Sequence, residues 1–231
     1  LLESLRTRQV NQKFHYDSVK QTLKWLRLHQ AYSPSRTDAG CLAVYERGFA
    51  AALAGLNALR VHLIGLGCGG GQKDTRLLRQ LANLGKETFY TPCDVSTAMV
   101  LVARQAALAV LPDEKCHPLV CDLNSADDLP RVLEQQSRLD SARLITFFGM
   151  IPNFEPRSIL PKLAALIRPE DGLLFSANLA PGADYATGVQ QILPQYDNPL
   201  THDWLLTFLY DLGVSPTAGE LRFGVEDDPA G

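Results

Sequence analysis

Five glycines within seven residues, directly after an apolar segment, constrain the fold of this chain more than any other feature of its sequence. The apolar segment covers residues 60–66, and a helix-like segment follows at residues 76–84. A buried strand that breaks into a glycine-rich turn and continues as a helix brings bare backbone N–H groups close to a ligand. Side chains would block that approach, so the pattern predicts a nucleotide-type cofactor site.

The composition of the chain argues against several classes of protein. The 231 residues carry a net charge of −3 with scattered lysines and arginines, unlike the basic stripe that a nucleic-acid partner requires. Five cysteines without a Cys-x-x-Cys pair are typical of reduced thiols in a cytoplasmic protein and predict no metal site. No run approaches the roughly 18 apolar residues of a membrane span, so we predict no membrane partner. The sequence leaves the oligomeric state open.

Strand and helix signals alternate from residue 60 onward. Strand-like segments cover residues 60–66, 88–91, 118–121, 143–148 and 173–177, and helix-like segments cover residues 76–84, 97–111, 127–137 and 156–167. Repeated strand–helix–strand units predict an α/β fold, with a parallel-rich, doubly wound sheet covered by helices on both faces. Ser96 and Pro156 fit the first positions of two of these helices.

We predict two domains from these signals. Residues 1–59 show mostly helix signals and form an N-terminal helical region that covers the site, whereas residues 60–231 form the cofactor-binding domain. Residues 32–38 predict a loop, residues 202–212 a helix and residues 220–225 a last strand. An unpaired last strand is unusual for such a sheet, so we expect the domain to be truncated at its C-terminal hairpin.

The spacing of the glycines fits two kinds of cofactor. Gly65-x-Gly67-x-x-Gly70 matches the dinucleotide fingerprint, and Gly65-x-Gly67-x-Gly69 matches the looser pattern of S-adenosylmethionine (SAM) sites. Lys73 follows the turn, where it is either a solvated residue at a helix start or the partner of a cofactor carboxylate or phosphate.

Two carboxylates follow the next predicted strands. Asp94 lies where an acidic residue commonly accepts hydrogen bonds from ribose hydroxyls, although it can also cap the following helix. Asp122 can accept from an adenine amino group, with Leu123 beside the ring, or it can be a residue of a surface turn. The residues alone leave these roles open. A carboxylate at Asp94 disfavours a phosphorylated ribose.

Asn153 follows the fourth predicted strand. Ligands bind at the carboxyl ends of strands in open parallel sheets, so Asn153 faces the reaction zone if that strand is assigned correctly. Its amide offers a donor and an acceptor to an amino-acid-like substrate. The alternative is a cap on the helix that begins near Pro156.

Several of these segments, in this order, resemble one family. They are Gly67-Cys68-Gly69, Lys73, Tyr90-Thr91-Pro92-Cys93-Asp94-Val95-Ser96, Cys121-Asp122-Leu123 and Asn153-Phe154. The chain resembles the histidine-specific SAM-dependent methyltransferases, which make the histidine betaine of ergothioneine biosynthesis and include a dimethylallyltryptophan N-methyltransferase. The resemblance implies a Rossmann-like class I methyltransferase fold and SAM as cofactor.

The resemblance also implies a role for each matching residue. Gly67 and Gly69 line the cofactor, and Lys73 meets its methionine part. Gly65 is assigned to the cofactor by the glycine spacing alone. Asp94 holds the ribose, while Asp122 and Leu123 hold the adenine. The resemblance further implies that Asn153 and Tyr196 orient the amine that is methylated, and that Tyr32 closes the pocket from the helical side.

The chain departs from the family pattern at two informative places. The acidic residue expected at the end of the first strand is Gly65 here, and Asp74 is an extra residue after Lys73. The family also inserts a late substrate domain that binds histidine, and the residues after Tyr196 leave no room for it. The sequence therefore supports methyl transfer, but it does not support histidine as the substrate and leaves the acceptor open.

The leading hypothesis is a SAM-dependent methyltransferase acting on a small molecule, such as an amine or an amino acid. The glycine spacing also permits an NAD-dependent oxidoreductase, although no catalytic Tyr-x-x-x-Lys motif or His–Asp pair accompanies it. The third hypothesis is a non-catalytic module that binds SAM or a protein partner.

Overall fold

The computed structural model describes residues 1–137 and 141–225. The chain forms two compact units. The sheet unit is Gly40–Ala177, and the helical unit joins Leu1–Ala39 to the residues from Asn178 onward. The helix that precedes the first strand therefore counts almost entirely with the sheet. The covering role predicted for residues 1–59 stays a prediction.

The sheet unit is built on five parallel strands in the order β3-β2-β1-β4-β5. The strands are β1 Arg60–Leu66, β2 Glu87–Asp94, β3 Leu119–Val120, β4 Ala142–Phe148 and β5 Gly172–Ser176. Each connection between consecutive strands contains a helix. The first three strands are added towards one edge of the sheet, and β4 and β5 are added on the other side of β1. The predicted parallel, doubly wound α/β fold is confirmed.

The helices match most of the predicted segments. In chain order they are α1 Leu2–Thr7, α2 Val19–Tyr32, α3 Pro34–Thr37, α4 Ala39–Ala54, α5 Gln72–Asn83, α6 Thr97–Ala107, α7 Leu129–Gln136, α8 Pro156–Leu166, α9 Tyr185–Ile192 and α10 Pro199–Asp211. The Ser96 hydroxyl accepts the Met99 N–H at the start of α6, and Pro156 is the first residue of α8. Both predicted helix starts are confirmed.

Apolar side chains cover both faces of the sheet. Successive side chains of a strand point to opposite faces of the sheet. In β1, Val61 and Leu63 accordingly belong to one buried cluster, whereas Ile64 and Leu66 belong to the other. The first cluster includes residues of α4 and α5, and the second includes residues of α7 and α8. This two-sided burial holds the carboxyl ends of the strands in a fixed frame.

In the helical unit, α10 packs against α2 and against a short 3-10 turn at Gln12–His15. The Trp204 indole donates to the His15 carbonyl at 2.8 Å, and the rings of Phe14 and Phe208 stack at 5.5 Å. The Lys24 ammonium donates to Asp203 at 2.7 Å. Within the described residues, none of the helices has the length and apolar content that crossing a membrane requires.

Three segments differ from prediction. Residues 220–225 are irregular instead of a strand, because no strand in the described part of the chain pairs with them. Residues 32–38 are not wholly a loop, since Pro34 starts the one-turn helix α3. Helix α9 was not predicted; the Asp184 carboxylate caps it by accepting the Thr187 N–H at 3.0 Å.

A buried polar network surrounds the side chain of His62 in β1. The imidazole is 1% exposed, with Nδ1 2.9 Å from the Ser137 hydroxyl and Nε2 2.8 Å from the Thr91 hydroxyl. The buried Arg143 guanidinium donates to the same Ser137 hydroxyl at 3.1 Å. Burial, followed by the charge of Arg143, lowers the pKa of His62 to about 4. The imidazole is therefore neutral in the folded protein at neutral pH.

This network predicts a loss of stability in mild acid. The unfolded histidine, with a pKa of about 6.5, binds a proton that the folded His62 does not accept above pH 4. The contribution of the neutral His62 to the free energy of unfolding is fully present above about pH 6.5. About 3 kcal/mol of unfolding free energy is lost as the pH falls to 4. Urea unfolding of the wild type and of His62→Gln measures the difference in unfolding free energy. A difference that stays constant from pH 7 to pH 4 contradicts the prediction.

Candidate functional site

The glycine turn between β1 and α5 has a backbone that only glycine adopts without strain. Gly67, Gly69 and Gly71 have φ angles of +63°, +50° and +71°. A Cβ at Gly71 would lie 2.7 Å from the Cα of Ala103 in α6, so the turn also packs directly on that helix. The turn therefore presents bare backbone at the carboxyl end of the central strand.

Asp94 fastens this turn to the end of β2. Its Oδ2 accepts the Gly69 N–H at 3.1 Å, and its Oδ1 accepts the Ser96 N–H at 3.0 Å. The Cys68 N–H donates to the Cys93 carbonyl at 2.9 Å beside it. Burial raises the pKa of Asp94, while the hydrogen bonds from Ser96 and Gly69 act against that rise. A carboxylate offers about four acceptor positions, so Asp94 can still accept a ribose hydroxyl beside its backbone donors.

Lys73, the second residue of α5, is held by aromatic rings. Its ammonium lies 5.0 Å from the ring centre of Tyr45 and 5.7 Å from that of Phe148. The Tyr45 hydroxyl is 2.7 Å from the Ser176 hydroxyl at the end of β5. The positive charge is thus placed at the carboxyl ends of β4 and β5, where a cofactor carboxylate can meet it.

Asp122 forms a turn after β3. Its Oδ1 accepts the Asn124 N–H at 3.0 Å, as the surface-turn hypothesis predicts. The Cys121 N–H donates to the Asp94 carbonyl at 2.9 Å, so the turn lies next to Asp94. Leu123 packs on the second apolar cluster. Because a carboxylate has several acceptor positions, the turn hydrogen bond leaves room for an adenine contact.

Asn153 is exposed in a 3-10 turn, Ile151–Asn153, directly after β4. It does not cap α8, because the N-cap residue of that helix is Glu155. Its amide nitrogen is 3.8 Å from the Met150 sulfur. Met150 lies against Gly67, where a Cβ would fall 2.7 Å from the Met150 Cγ. The alternative role of Asn153 as a helix cap is therefore wrong, and a role at the carboxyl ends of the strands remains.

Tyr32 and Tyr196 belong to the helical unit. Tyr32 is the half-buried last residue of α2. Tyr196 is 49% exposed and follows the 3-10 turn Leu193–Gln195, two residues before the Asn198 cap of α10. Their contact with a methyl acceptor stays a prediction.

The sheet unit thus brings together the predicted cofactor residues that flank the glycine turn: Gly65, Gly67, Gly69, Lys73 and Asp94. Sequence reasoning missed Tyr45 and Met150, which hold Lys73 and cover Gly67. Neither has a motif of its own, since each reaches the site only through the folded arrangement of α4 and of the loop after β4. The set offers bare backbone, a ribose acceptor and a cation, and these fit a nucleoside that carries an amino acid.

Comparison with known families agrees with this geometry. The sequence model for histidine-specific, SAM-dependent methyltransferases matches residues 1–204. The chain belongs to this family. The family is one of SAM-dependent methyltransferases, as predicted from the sequence, and this favours SAM over the NAD-dependent alternative. Comparison with curated protein sequences finds no match.

Several solved structures are similar to this chain, and the first one named here supports the fold. The CMeT domain of the citrinin polyketide synthase has a TM-score of 0.50 at 16% identity, over 85% of this chain and 51% of that one. A putative SAM-dependent methyltransferase from Methanococcus maripaludis has a TM-score of 0.49 at 10% identity, over 85% and 84%. The [4+2]-cyclase SpnF has 0.43 at 19% identity, over 65% and 54%. The chain spans about half the length of the polyketide synthase domain and of the cyclase.

The packing of the glycine turn on α6 predicts a large cost for any side chain at position 71. Gly71→Ala combines a left-handed φ with an overlap on the backbone of Ala103, so we expect a loss of about 3 kcal/mol in unfolding free energy. Gly85→Ala is the matched control, because its φ is +68° but no atom lies within 4 Å of the new Cβ. The control should lose about 1 kcal/mol. Equal losses in urea unfolding would show that packing on α6 contributes nothing.

Proposed function

We propose that this protein transfers a methyl group from SAM to a nitrogen atom of a small molecule, an amine or an amino acid. The observation that carries the proposal is the clamp of the glycine turn by Asp94, found in a chain of a SAM-dependent methyltransferase family. The five cysteines are free thiols, which the reducing cytoplasm maintains, so we place the reaction there.

The cofactor residues divide by the part of SAM that each would hold. Gly65, Gly67 and Gly69 offer backbone to the cofactor, and Lys73 offers its ammonium to the methionine carboxylate. Asp94 accepts from the ribose hydroxyls. Asp122 accepts from the adenine amino group, with Leu123 beside the ring. Their positions at adjoining strand ends support this division.

Methyl transfer requires the protein to do little more than align the acceptor nitrogen with the methyl group of SAM. When bound, SAM supplies a methyl group on a positively charged sulfur, which is already activated for transfer. Asn153 orients the acceptor through its amide. The acceptor nitrogen must be unprotonated to react, and positioning can supply most of the rate enhancement. A site with no strong base is therefore sufficient.

A screen for methyl transfer tests the proposal. The protein is incubated with SAM labelled in its methyl group and with a panel of amines and amino acids, histidine and tryptophan derivatives included. We expect label in one class of amine, and Asn153→Ala should lower turnover at least tenfold while the affinity for SAM stays unchanged. Equal loss of turnover and SAM affinity would overturn the assignment of Asn153 to the acceptor.

The variant Asp94→Asn tests the cofactor side of the site, as Asn153→Ala tests the acceptor side. It keeps the shape of the side chain but removes a charge-assisted acceptor, so the affinity for SAM should fall by about tenfold to a hundredfold. Tight SAM binding by the wild type without transfer to any acceptor would instead support the non-catalytic module.

A further inference from the structure

Asp74, the third residue of α5, is a buried carboxylate beside the glycine turn. It is 3% exposed, and its hydrogen-bond partners are two neutral hydroxyl groups. Tyr90 of β2 donates to Oδ2 at 2.8 Å, and Thr146 of β4 donates to Oδ1 at 2.8 Å. A buried charge costs free energy unless hydrogen bonds or an opposite charge offset it. The placement of this carboxylate therefore needs a reason beyond packing.

Gly65 makes room for this carboxylate. A Cβ built at Gly65 would overlap Oδ2 of Asp74, and it would lie 3.1 Å from Cγ of Asp74 and 3.3 Å from the Tyr90 hydroxyl. Gly65 lies in the central strand, in register with Pro92 of β2 and Thr146 of β4. The Asp74 carboxylate therefore occupies the space into which a side chain at position 65 would project.

Position 65 is also where the family pattern places an acidic residue. This chain has glycine there and an extra aspartate nine positions later. The Asp74 carboxyl group approaches from α5 and occupies the space next to β1 where a side chain at position 65 would begin. A carboxyl group therefore lies at this end of β1, although a different element carries it.

Lys73 and Asp74 give the start of α5 two opposite charges in consecutive residues. The Lys73 ammonium lies over the rings of Tyr45 and Phe148, whereas the Asp74 carboxylate lies between β2 and β4. The methionine end of SAM is a zwitterion, with a carboxylate and an ammonium on one carbon. A fixed cation and a fixed anion beside the same turn match that pair of charges.

We propose that Asp74 is the positioning residue for the ammonium group of the cofactor, replacing from α5 an acidic side chain of β1. This inference rests on the proposed use of SAM. Burial raises the pKa of Asp74, while the hydroxyls of Tyr90 and Thr146 and the charge of Lys73 act against that rise. A bound ammonium acts in the same direction as Lys73 and favours the ionised carboxylate.

Isothermal titration with three probes tests the proposal. SAM and S-adenosylhomocysteine both carry the ammonium, and methylthioadenosine lacks the whole amino acid. Asp74→Asn can keep both hydroxyl partners, because a hydroxyl donates or accepts, but it removes the charge. We expect SAM and S-adenosylhomocysteine to bind about tenfold to a hundredfold more weakly, with the affinity for methylthioadenosine unchanged. An equal loss for all three probes, or no loss, overturns the proposal.

Two further variants separate charge from packing. Tyr90→Phe removes one hydrogen bond to Asp74 and keeps the carboxylate, so stability should fall while the preference for probes with an ammonium persists. Gly65→Asp combined with Asp74→Ala returns the acid to β1 and should recover most of the SAM affinity that Asp74→Ala loses. A double variant that folds but binds SAM no better than Asp74→Ala also overturns the proposal. A wild type that binds no probe refutes the use of SAM instead.

Discussion

The hydrogen bond from the Gly69 N–H to the Asp94 carboxylate joins the two strand ends on which the site depends. A charge-assisted hydrogen bond of this kind contributes about 1.5–3 kcal/mol. It fixes the glycine turn relative to β2, and the neighbouring hydrogen bond from the Cys68 N–H to the Cys93 carbonyl repeats the connection. Because the turn leads directly into α5, the same hydrogen bond helps to fix the positions of Lys73 and Asp74.

The sheet beneath supplies the rigidity that this arrangement requires. Strand β1 is central, paired with β2 and β4, and apolar side chains cover both of its faces. Close packing of this kind transmits small shifts, so a turn anchored at one end of β1 keeps its geometry. The fold itself does not choose the methyl acceptor, since one fold supports many reactions. Under the proposed function, that choice involves Asn153 after β4.

The parts predicted from sequence are those with a local signal. The strand–glycine–helix pattern gave the site, and β1 begins and ends at the predicted residues because apolar residues and glycines mark both limits. Short or partner-dependent elements were harder. Residues 220–225 have the composition of a strand, but a strand also needs a neighbour to bond. The contacts of Tyr45, Met150 and Asp74 join residues far apart in the chain, so no spacing rule could find them.

All of the proposed residue roles depend on SAM as the molecule that the glycine turn holds. Isothermal titration of the wild type with SAM, S-adenosylhomocysteine and NAD in parallel tests this most directly. We expect micromolar binding of the first two and no binding of NAD, because the proposed roles of Lys73 and Asp94 match the amino acid and the ribose of one nucleoside. Binding of NAD alone, or of none of the three, would contradict this expectation.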